Sequence, residues 1–299
     1  MADESDGRRG ASSGAGARGA PHDPEEAADG LKRDDAIVVL GGGMGAMAGA
    51  QAHVELIRQT DTLRMGEEGN IEVFHVSPVL SSRSDFAEGK TTRNPGFRAA
   101  DAVAAAAEAA LRYRPGVRVI VGVPCNTFHF PPTWARFVSR LEEHAVPGLK
   151  ALSIVDEVAR ALLEVAPGTK KLGVLCTLGT RAAHIYGVLE ESAGIEIVYP
   201  TEEDHEKVNA AIYDVDFGLK SVTPPAEQAV ASMHNAATWL VEEAGVDALL
   251  AGCTEIPLVL PAPSFTTAKG QAVPVIDPAV TLVRALVREV NPAKLRKVG

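Results

Sequence analysis

Short apolar runs alternate with longer amphipathic runs along most of this chain, and this alternation constrains the fold more than any other feature. Three of the apolar runs cover residues 36–40, 117–123 and 248–251, and each is followed by a turn and then a helix-like pattern. Strands that are apolar on both faces belong to parallel sheets covered by helices on both sides. The pattern therefore predicts an α/β fold with mostly parallel sheets flanked by helices. It predicts helices over residues 154–165, 181–192 and 278–290, and His205 is expected on a solvated helix face.

The two halves of the chain repeat the same order of features. A strand, a glycine-containing turn and a helix open each half, and a strand that ends in a cysteine closes each half. We therefore expect two similar domains related by a pseudo-twofold axis, with the site in the cleft between them. The first would comprise residues 36–148 and 274–299, and the second residues 149–273. Residues 1–35 are rich in small and charged residues, so we expect a disordered tail.

Composition excludes several classes of function. The formal net charge is −10 and the pI is about 5.3, with no basic stripe, which argues against a nucleic-acid partner. No apolar run reaches the roughly 18–20 residues of a membrane span. The three cysteines are widely spaced and form no CxxC pair, which favours a reducing, cytoplasmic location. No cluster has the spacing of metal ligands, so no metal is expected.

Two of the cysteines occupy matching contexts. Cys125 and Cys253 each end an apolar strand and precede small polar residues and a new amphipathic segment. Two opposed thiols suit an acid/base pair, since a thiol pKa near 8.5 is easily tuned so that one sulfur is thiolate and the other thiol. A helix N-terminus after each cysteine would lower its pKa and, with the side chains of Asn126, Thr127 and Thr254, bind a carboxylate.

The segments 124–129 (PCNTFH) and 252–257 (GCTEIP) resemble the two active-site motifs of the aspartate/glutamate racemase superfamily, and more closely those of aspartate racemase. The likeness extends over about residues 37–290. It implies an amino-acid racemase that interconverts L- and D-aspartate without pyridoxal phosphate or another cofactor, with Cys125 and Cys253 exchanging acid and base roles. It also implies a homodimer and a small-molecule, acidic amino-acid substrate.

The resemblance implies further site residues. Arg83, in an altered Ser-Arg-Ser loop, and Lys220 would hold the distal carboxylate, and the remaining substrate contacts would come from Met44, Gly45, Thr177 and Thr180. His129 and Glu255 would either tune the thiols or serve only as structural hydrogen-bonding groups. Phe128 replaces the usual alanine, which we interpret as a large change beside the pocket.

Other functions remain open from the sequence. Glutamate or several amino acids would be alternative substrates, because the arginine loop departs from the family pattern. Maleate isomerase, malonate decarboxylase and hydantoin racemase use related thiol chemistry in the superfamily. A small-molecule binding protein is the non-enzyme alternative, and it predicts that replacing either cysteine leaves function unharmed.

Overall fold

The computed structural model describes residues 33–43 and 45–297. Residues 1–32 of the predicted tail and the predicted substrate contact Met44 lie outside the described residues. The chain from Asp34 onward forms one compact unit. Among the described residues, no helix has the length and apolar character needed to span a membrane.

The first sheet has four parallel strands in the order β2-β1-β3-β4. They are β1 (Ala36–Gly41), β2 (Val73–Val76), β3 (Arg118–Gly122) and β4 (Leu149–Leu152). Every residue of β1 is buried, as expected for a central strand covered on both faces. The helices of this half are α1 (Ala46–Gln59), α2 (Arg83–Ala87), α3 (Pro95–Tyr113) and α4 (Pro131–His144).

The second sheet repeats this order and adds one strand, giving β6-β5-β7-β9-β8. Its strands are β5 (Lys171–Leu175), β6 (Glu196–Val198), β7 (Ala248–Ala251), β8 (Ser264–Thr266) and β9 (Ala272–Ile276). The β8–β9 pair is antiparallel, and the other pairs of this sheet are parallel. The helices of this half are α5 (Ile154–Val165), α6 (Leu178–Ala182), α7 (Val188–Ala193), α8 (Glu202–Tyr213) and α9 (Glu227–Glu242), and helix α10 (Pro278–Val290) follows β9.

The equivalent strand orders place the two cysteines at equivalent positions. Cys125 follows β3, which lies beside β1, and Cys253 follows β7, which lies beside β5. In open parallel sheets, ligands bind outside the carboxyl ends of the strands, where the strand order reverses. The predicted α/β class with mostly parallel sheets and flanking helices is confirmed, and both thiols emerge at such an edge.

The C-terminal segment divides between the two sheets. Strand β9 pairs with β7 in the second sheet, whereas the prediction assigned residues 274–299 to the first domain. Helix α10 instead packs against α1, β1 and β3 of the first half and against α5. A Cβ at Gly122 would lie 2.8 Å from Leu286, so glycine in β3 allows the close approach of α10. Strand β4 also extends the first sheet beyond the predicted boundary at residue 148.

The predicted helix over residues 181–192 is interrupted. Helix α6 ends at Ala182 and α7 begins at Val188, and His184 between them has a φ of 45°. This turn carries Tyr186 into the core, where it is fully buried. The apolar pattern of the segment thus reflects a buried turn between two short helices, and that turn proves important at the first cysteine.

Candidate active site

Cys125 lies in a turn in which uncharged groups make the hydrogen bonds. The residue is extended (φ −150°, ψ 113°), is 7% exposed, and precedes a single 3-10 turn, Asn126–His129. The Nδ1–H of His129 donates to the Cys125 carbonyl at 2.9 Å, which assigns the proton to that nitrogen. This bond closes the turn and orients the backbone that presents the thiol.

Side chains from the second half of the chain form hydrogen bonds with the two residues that follow Cys125. The hydroxyl of Tyr186 donates to the Asn126 side-chain carbonyl, and the hydroxyls of Thr127 and Thr180 lie 2.8 Å apart. Thr180 also contacts the hydroxyl of Thr177 at 3.1 Å, and its backbone N–H donates to that same oxygen, which caps α6. The predicted residues Asn126, Thr127, Thr177 and Thr180 are therefore brought together.

His129 is neutral at working pH because it is buried among aromatic rings. It stacks on Trp134 with ring centroids 4.5 Å apart, and burial lowers its pKa to about 4, although the bond to the Cys125 carbonyl opposes the shift. Phe128 is fully buried and packs edge-to-face on Phe137 with centroids 5.2 Å apart. The side chain of Phe128 therefore belongs to the buried cluster that also contains Cys125 and is not exposed to solvent.

Cys253 lies in a turn built around charges. It is 8% exposed, and its thiol donates to Glu255 Oε2 at 3.0 Å. The Thr254 hydroxyl donates to the same oxygen at 3.0 Å, and Lys220 Nζ donates to Oε1 at 2.8 Å. Both oxygens of this buried carboxylate are thus engaged, and the predicted residues Cys253, Thr254, Glu255 and Lys220 form one cluster.

The electrostatics of this cluster favour a protonated thiol. Burial, and then the charge of Glu255, raise the pKa of Cys253, while Lys220 opposes the shift. For Glu255, burial would raise the pKa, but the charge of Lys220 and the hydrogen bonds lower it. For Lys220, burial would lower the pKa, but interaction with the thiolate form of Cys253 and with the charge and hydrogen bond of Glu255 outweighs burial and raises it.

The structure differs from the expected helix N-terminus after each thiol. A 3-10 turn follows Cys125, and a 3-10 turn at Ile256–Leu258 follows Cys253 after two residues. Such short turns supply little of the dipole that a longer helix would offer. The expected lowering of the Cys253 pKa is replaced by a raised pKa because burial and Glu255 dominate.

Arg83 lies in the first turn of α2, which packs against α6 and the Asn126–His129 turn. Its Nε is buried and has no hydrogen-bond partner in the part of the chain that the structure describes. The neighbouring Ser84 hydroxyl lies 3.5 Å from the hydroxyl of Tyr213, and a Cβ at Gly179 would lie 2.7 Å from the Ser84 Cβ. The close contact of α2 with α6 therefore depends on glycine at position 179.

Contacts through α2 connect the two cysteine turns. Thr180 of α6 contacts Thr127 in the turn after Cys125, and Ser84 of α2 packs on α6 and approaches Tyr213. The Lys220 ammonium, in the cluster around Cys253, lies 5.4 Å from the centroid of the Tyr213 ring. Gly45 is the N-terminal cap of α1, and a Cβ there would meet nothing within 4 Å. Within the described residues, no hydrogen bond joins Gly45 to either cysteine turn.

Sequence reasoning missed Tyr186 and misjudged His205. Tyr186 lay within a predicted continuous helix, and Gly187 beside it was the one signal of a turn. His205 was expected on a solvated helix face, but it is fully buried and its Nε2 lies 2.9 Å from the Cys176 carbonyl. Cys176 is also fully buried, so this pair stabilises the core at the end of β5.

Comparison with known proteins agrees with this architecture. A candidate Asp/Glu racemase from Yersinia pestis is 24% identical, with a TM-score of 0.63 over 85% of this chain and 98% of its own. The aspartate racemase of Picrophilus torridus is 20% identical, with a TM-score of 0.60 over 85% and 94%. An aspartate racemase homologue from Pyrococcus horikoshii is 20% identical, with a TM-score of 0.59 over 85% and 98%. At these identities the structures support the fold.

The family assignment comes from the sequence match. The family model described as Asp/Glu/hydantoin racemase matches residues 35–286, which include both cysteine turns and Arg83. The resemblance noted in the two cysteine motifs is thereby confirmed. This chain belongs to the Asp/Glu/hydantoin racemase family.

Proposed function

We propose that this protein is an isomerase that interconverts L- and D-aspartate without a cofactor, using Cys125 and Cys253 on opposite faces of the α-carbon. The observation that carries the proposal is the equivalent placement of two buried thiols after β3 and β7, in sheets of the same strand order. The family match and the aspartate racemases among the similar structures support it.

Inversion at the α-carbon needs a base on one face and an acid on the other. One thiolate removes the α-proton, the C–H electron pair stays on carbon as a carbanion, and the opposite thiol donates its proton to the other face. The roles exchange with the hand of the substrate. A decarboxylase needs one of the two thiols, so the presence of both favours racemisation over that alternative.

The polar groups near the thiols suit the two carboxylates of aspartate. Asn126, Thr127, Thr177, Thr180 and Thr254 supply amide and hydroxyl groups for the α-carboxylate, where hydrogen bonds also stabilise the charge that develops on the carbanion. Arg83 has a buried Nε without a partner among the described residues, which suits a guanidinium that pairs with the distal carboxylate. Lys220 is a second cationic side chain near the thiols, and its ammonium is bound to Glu255.

We further propose that the protein works in the cytoplasm as a homodimer. All three cysteines are free, which agrees with a reducing compartment. Glutamate or several amino acids are the alternative substrates, since Arg83 pairs with either distal carboxylate.

The deciding experiment is α-proton exchange in heavy water. Purified protein is incubated with L-aspartate, and the α-proton signal is followed by NMR while D-aspartate is measured by chiral chromatography. We expect loss of the α-proton and slow appearance of the D form, with the double variant C125A/C253A as the control for contaminating racemases. Parallel incubations with glutamate, maleate, a malonate and a hydantoin test the alternatives. Absence of exchange with every amino acid tried would contradict the proposal.

A further inference from the structure

The carboxylate of Glu255 is the centre of the hydrogen bonds around Cys253. It is 6% exposed, its Oε2 accepts from the Cys253 thiol and the Thr254 hydroxyl at 3.0 Å each, and its Oε1 accepts from Lys220 at 2.8 Å. A carboxylate that accepts a hydrogen bond from a thiol stabilises the protonated form, because the thiolate would lose that bond and face a second anion. Glu255 therefore holds the proton on sulfur.

Lys220 already forms an ion pair within this cluster. Its ammonium is bound to Glu255, lies 5.4 Å from the centroid of the Tyr213 ring, and is largely buried. Among the described residues, Tyr213 on α8, whose pKa burial raises, also faces the cluster, and the charge of Arg83 on α2 acts on Tyr213. The charge of Lys220 is thus balanced by Glu255 before any substrate arrives, whereas the buried Nε of Arg83 has no hydrogen-bond partner among the residues that the structure describes.

We propose that Cys253 is the acid of the resting enzyme and that Glu255 and Lys220 are its positioning residues. This assignment rests on the proposed racemase function and gives Lys220 a role different from carboxylate binding. In the step, the S–H bond of Cys253 breaks, its proton forms the new C–H bond on the carbanion, and the S–H electron pair stays on sulfur. Lys220 then balances the new thiolate, which would otherwise face Glu255 as an uncompensated second anion.

Removing the charge of Glu255 and removing the charge of Lys220 should have opposite effects on the protonation of Cys253. Removing the Glu255 charge leaves Lys220 beside the thiol and favours the thiolate. Removing the Lys220 charge leaves Glu255 beside the thiol and favours the protonated form further. One pKa unit changes the thiolate fraction tenfold below the pKa, and the thiolate is the nucleophile that alkylating agents detect.

The test is the rate at which iodoacetamide modifies each cysteine of the full-length protein between pH 6 and 10, followed by peptide mass spectrometry. We expect Glu255→Gln to speed alkylation of Cys253 at least tenfold at pH 7.5, and Lys220→Met to slow it at least tenfold. Lys220→Arg, which keeps the charge, should stay within threefold of the wild type. Cys125, with nearly the same exposure as Cys253, is the internal reference and should change less than threefold in all variants.

Glu157→Gln is the matched control. Glu157 is also 6% exposed and is paired with Arg288 at 2.6 Å, so its replacement removes a buried carboxylate from an ion pair elsewhere. It should leave Cys253 alkylation within threefold. If Glu255→Gln does not fold, as judged by its unfolding transition, the two Lys220 variants carry the test.

Two outcomes would overturn the inference. One is a Glu255→Gln protein whose Cys253 is alkylated at the wild-type rate or more slowly. The other is a Lys220→Met protein whose Cys253 is alkylated at the wild-type rate and whose KM for aspartate is raised tenfold or more. That result would make Lys220 a substrate ligand. The positioning role instead predicts a lower kcat and a KM within threefold of the wild type. Because alkylation needs no turnover, failure of the racemase proposal would be seen separately, as a wild-type protein without α-proton exchange.

Discussion

The two cysteine turns share a position in the fold but differ in their electrostatics. Around Cys125 the hydrogen bonds come from a neutral histidine, an amide, a tyrosine and two threonines, several of them supplied by the other half of the chain. Around Cys253 they come from Glu255 and Lys220. Repeated topology therefore does not impose equal chemistry, since side chains that follow equivalent strands can prepare one thiol as acid and leave the other in a neutral setting.

The largest effects should come from the thiols themselves. Replacing either Cys125 or Cys253 by alanine should reduce racemisation at least about 10³-fold, in line with the roughly 10²–10⁴ that a positioned acid or base contributes. Each variant should still exchange the α-proton of one enantiomer, and Cys125→Ala should do so at least tenfold more slowly than Cys253→Ala, because its remaining thiol is held protonated. NMR exchange measured on each enantiomer separately checks this.

Cys176→Ala is the matched control for the cysteine variants. Cys176 also follows a parallel strand, but it is fully buried and lies beside His205, so its replacement should leave racemisation within about threefold of the wild type. Full racemisation by either Cys125→Ala or Cys253→Ala would show that two opposed bases are not needed.

Arg83 belongs to neither turn, and its effect should depend on the substrate. Replacing Arg83 by methionine should lower kcat/KM for aspartate about 100-fold, since a desolvated guanidinium–carboxylate pair contributes several kcal/mol. Asparagine and other neutral amino acids should be affected less than threefold. Arg93→Met is the control, since Arg93 is an exposed arginine in the loop between α2 and α3. An equal loss for charged and neutral substrates would mean that Arg83 supports the fold of α2 instead.

The strands and helices were the most predictable part of the molecule. Strand β7 and helices α5 and α10 have the bounds that their apolar periodicity predicts, because burial dictates which residues are apolar. The two cysteines were found for a related reason: each ends an apolar run, and topology brings the carboxyl ends of parallel strands to one edge.

The charge environment of the second thiol could not be predicted in the same way. Lys220 and Glu255 are 35 positions apart and lie in irregular segments, so no periodicity relates them. Their pairing depends on where α8 and the loop after it deliver the lysine. Tyr186 was missed because a buried turn and a buried helix face have the same apolar composition, so only the left-handed backbone of His184 distinguishes them.

The titration of His129 tests whether the turn after Cys125 is electrically neutral. Its pKa is about 4 when folded and about 6.5 when unfolded, so between these values the unfolded chain binds more protons and stability falls as the pH is lowered. The wild type should lose about 2 kcal/mol more unfolding free energy between pH 7 and pH 4.5 than His129→Asn, which keeps a donor but does not titrate. Urea unfolding at the two pH values measures the difference. Equal losses would place a charged imidazole in the first turn and remove the contrast with the second.

The smallest expected effect concerns the contact between the hydroxyls of Thr180, in the second half of the chain, and Thr127, in the turn after Cys125. Thr180→Val keeps the shape of the side chain but leaves the buried Thr127 hydroxyl without this partner, so the unfolding free energy should fall by about 1–2 kcal/mol. Thr180→Ser should recover most of the loss. Thr133→Val is the matched control, because the Thr133 hydroxyl is buried and has no hydrogen-bond partner within the described residues; this variant should be as stable as the wild type or more so. If both valine variants lose the same free energy, the Thr127–Thr180 contact contributes nothing specific to the first turn, and its geometry must be maintained by Tyr186 and His129.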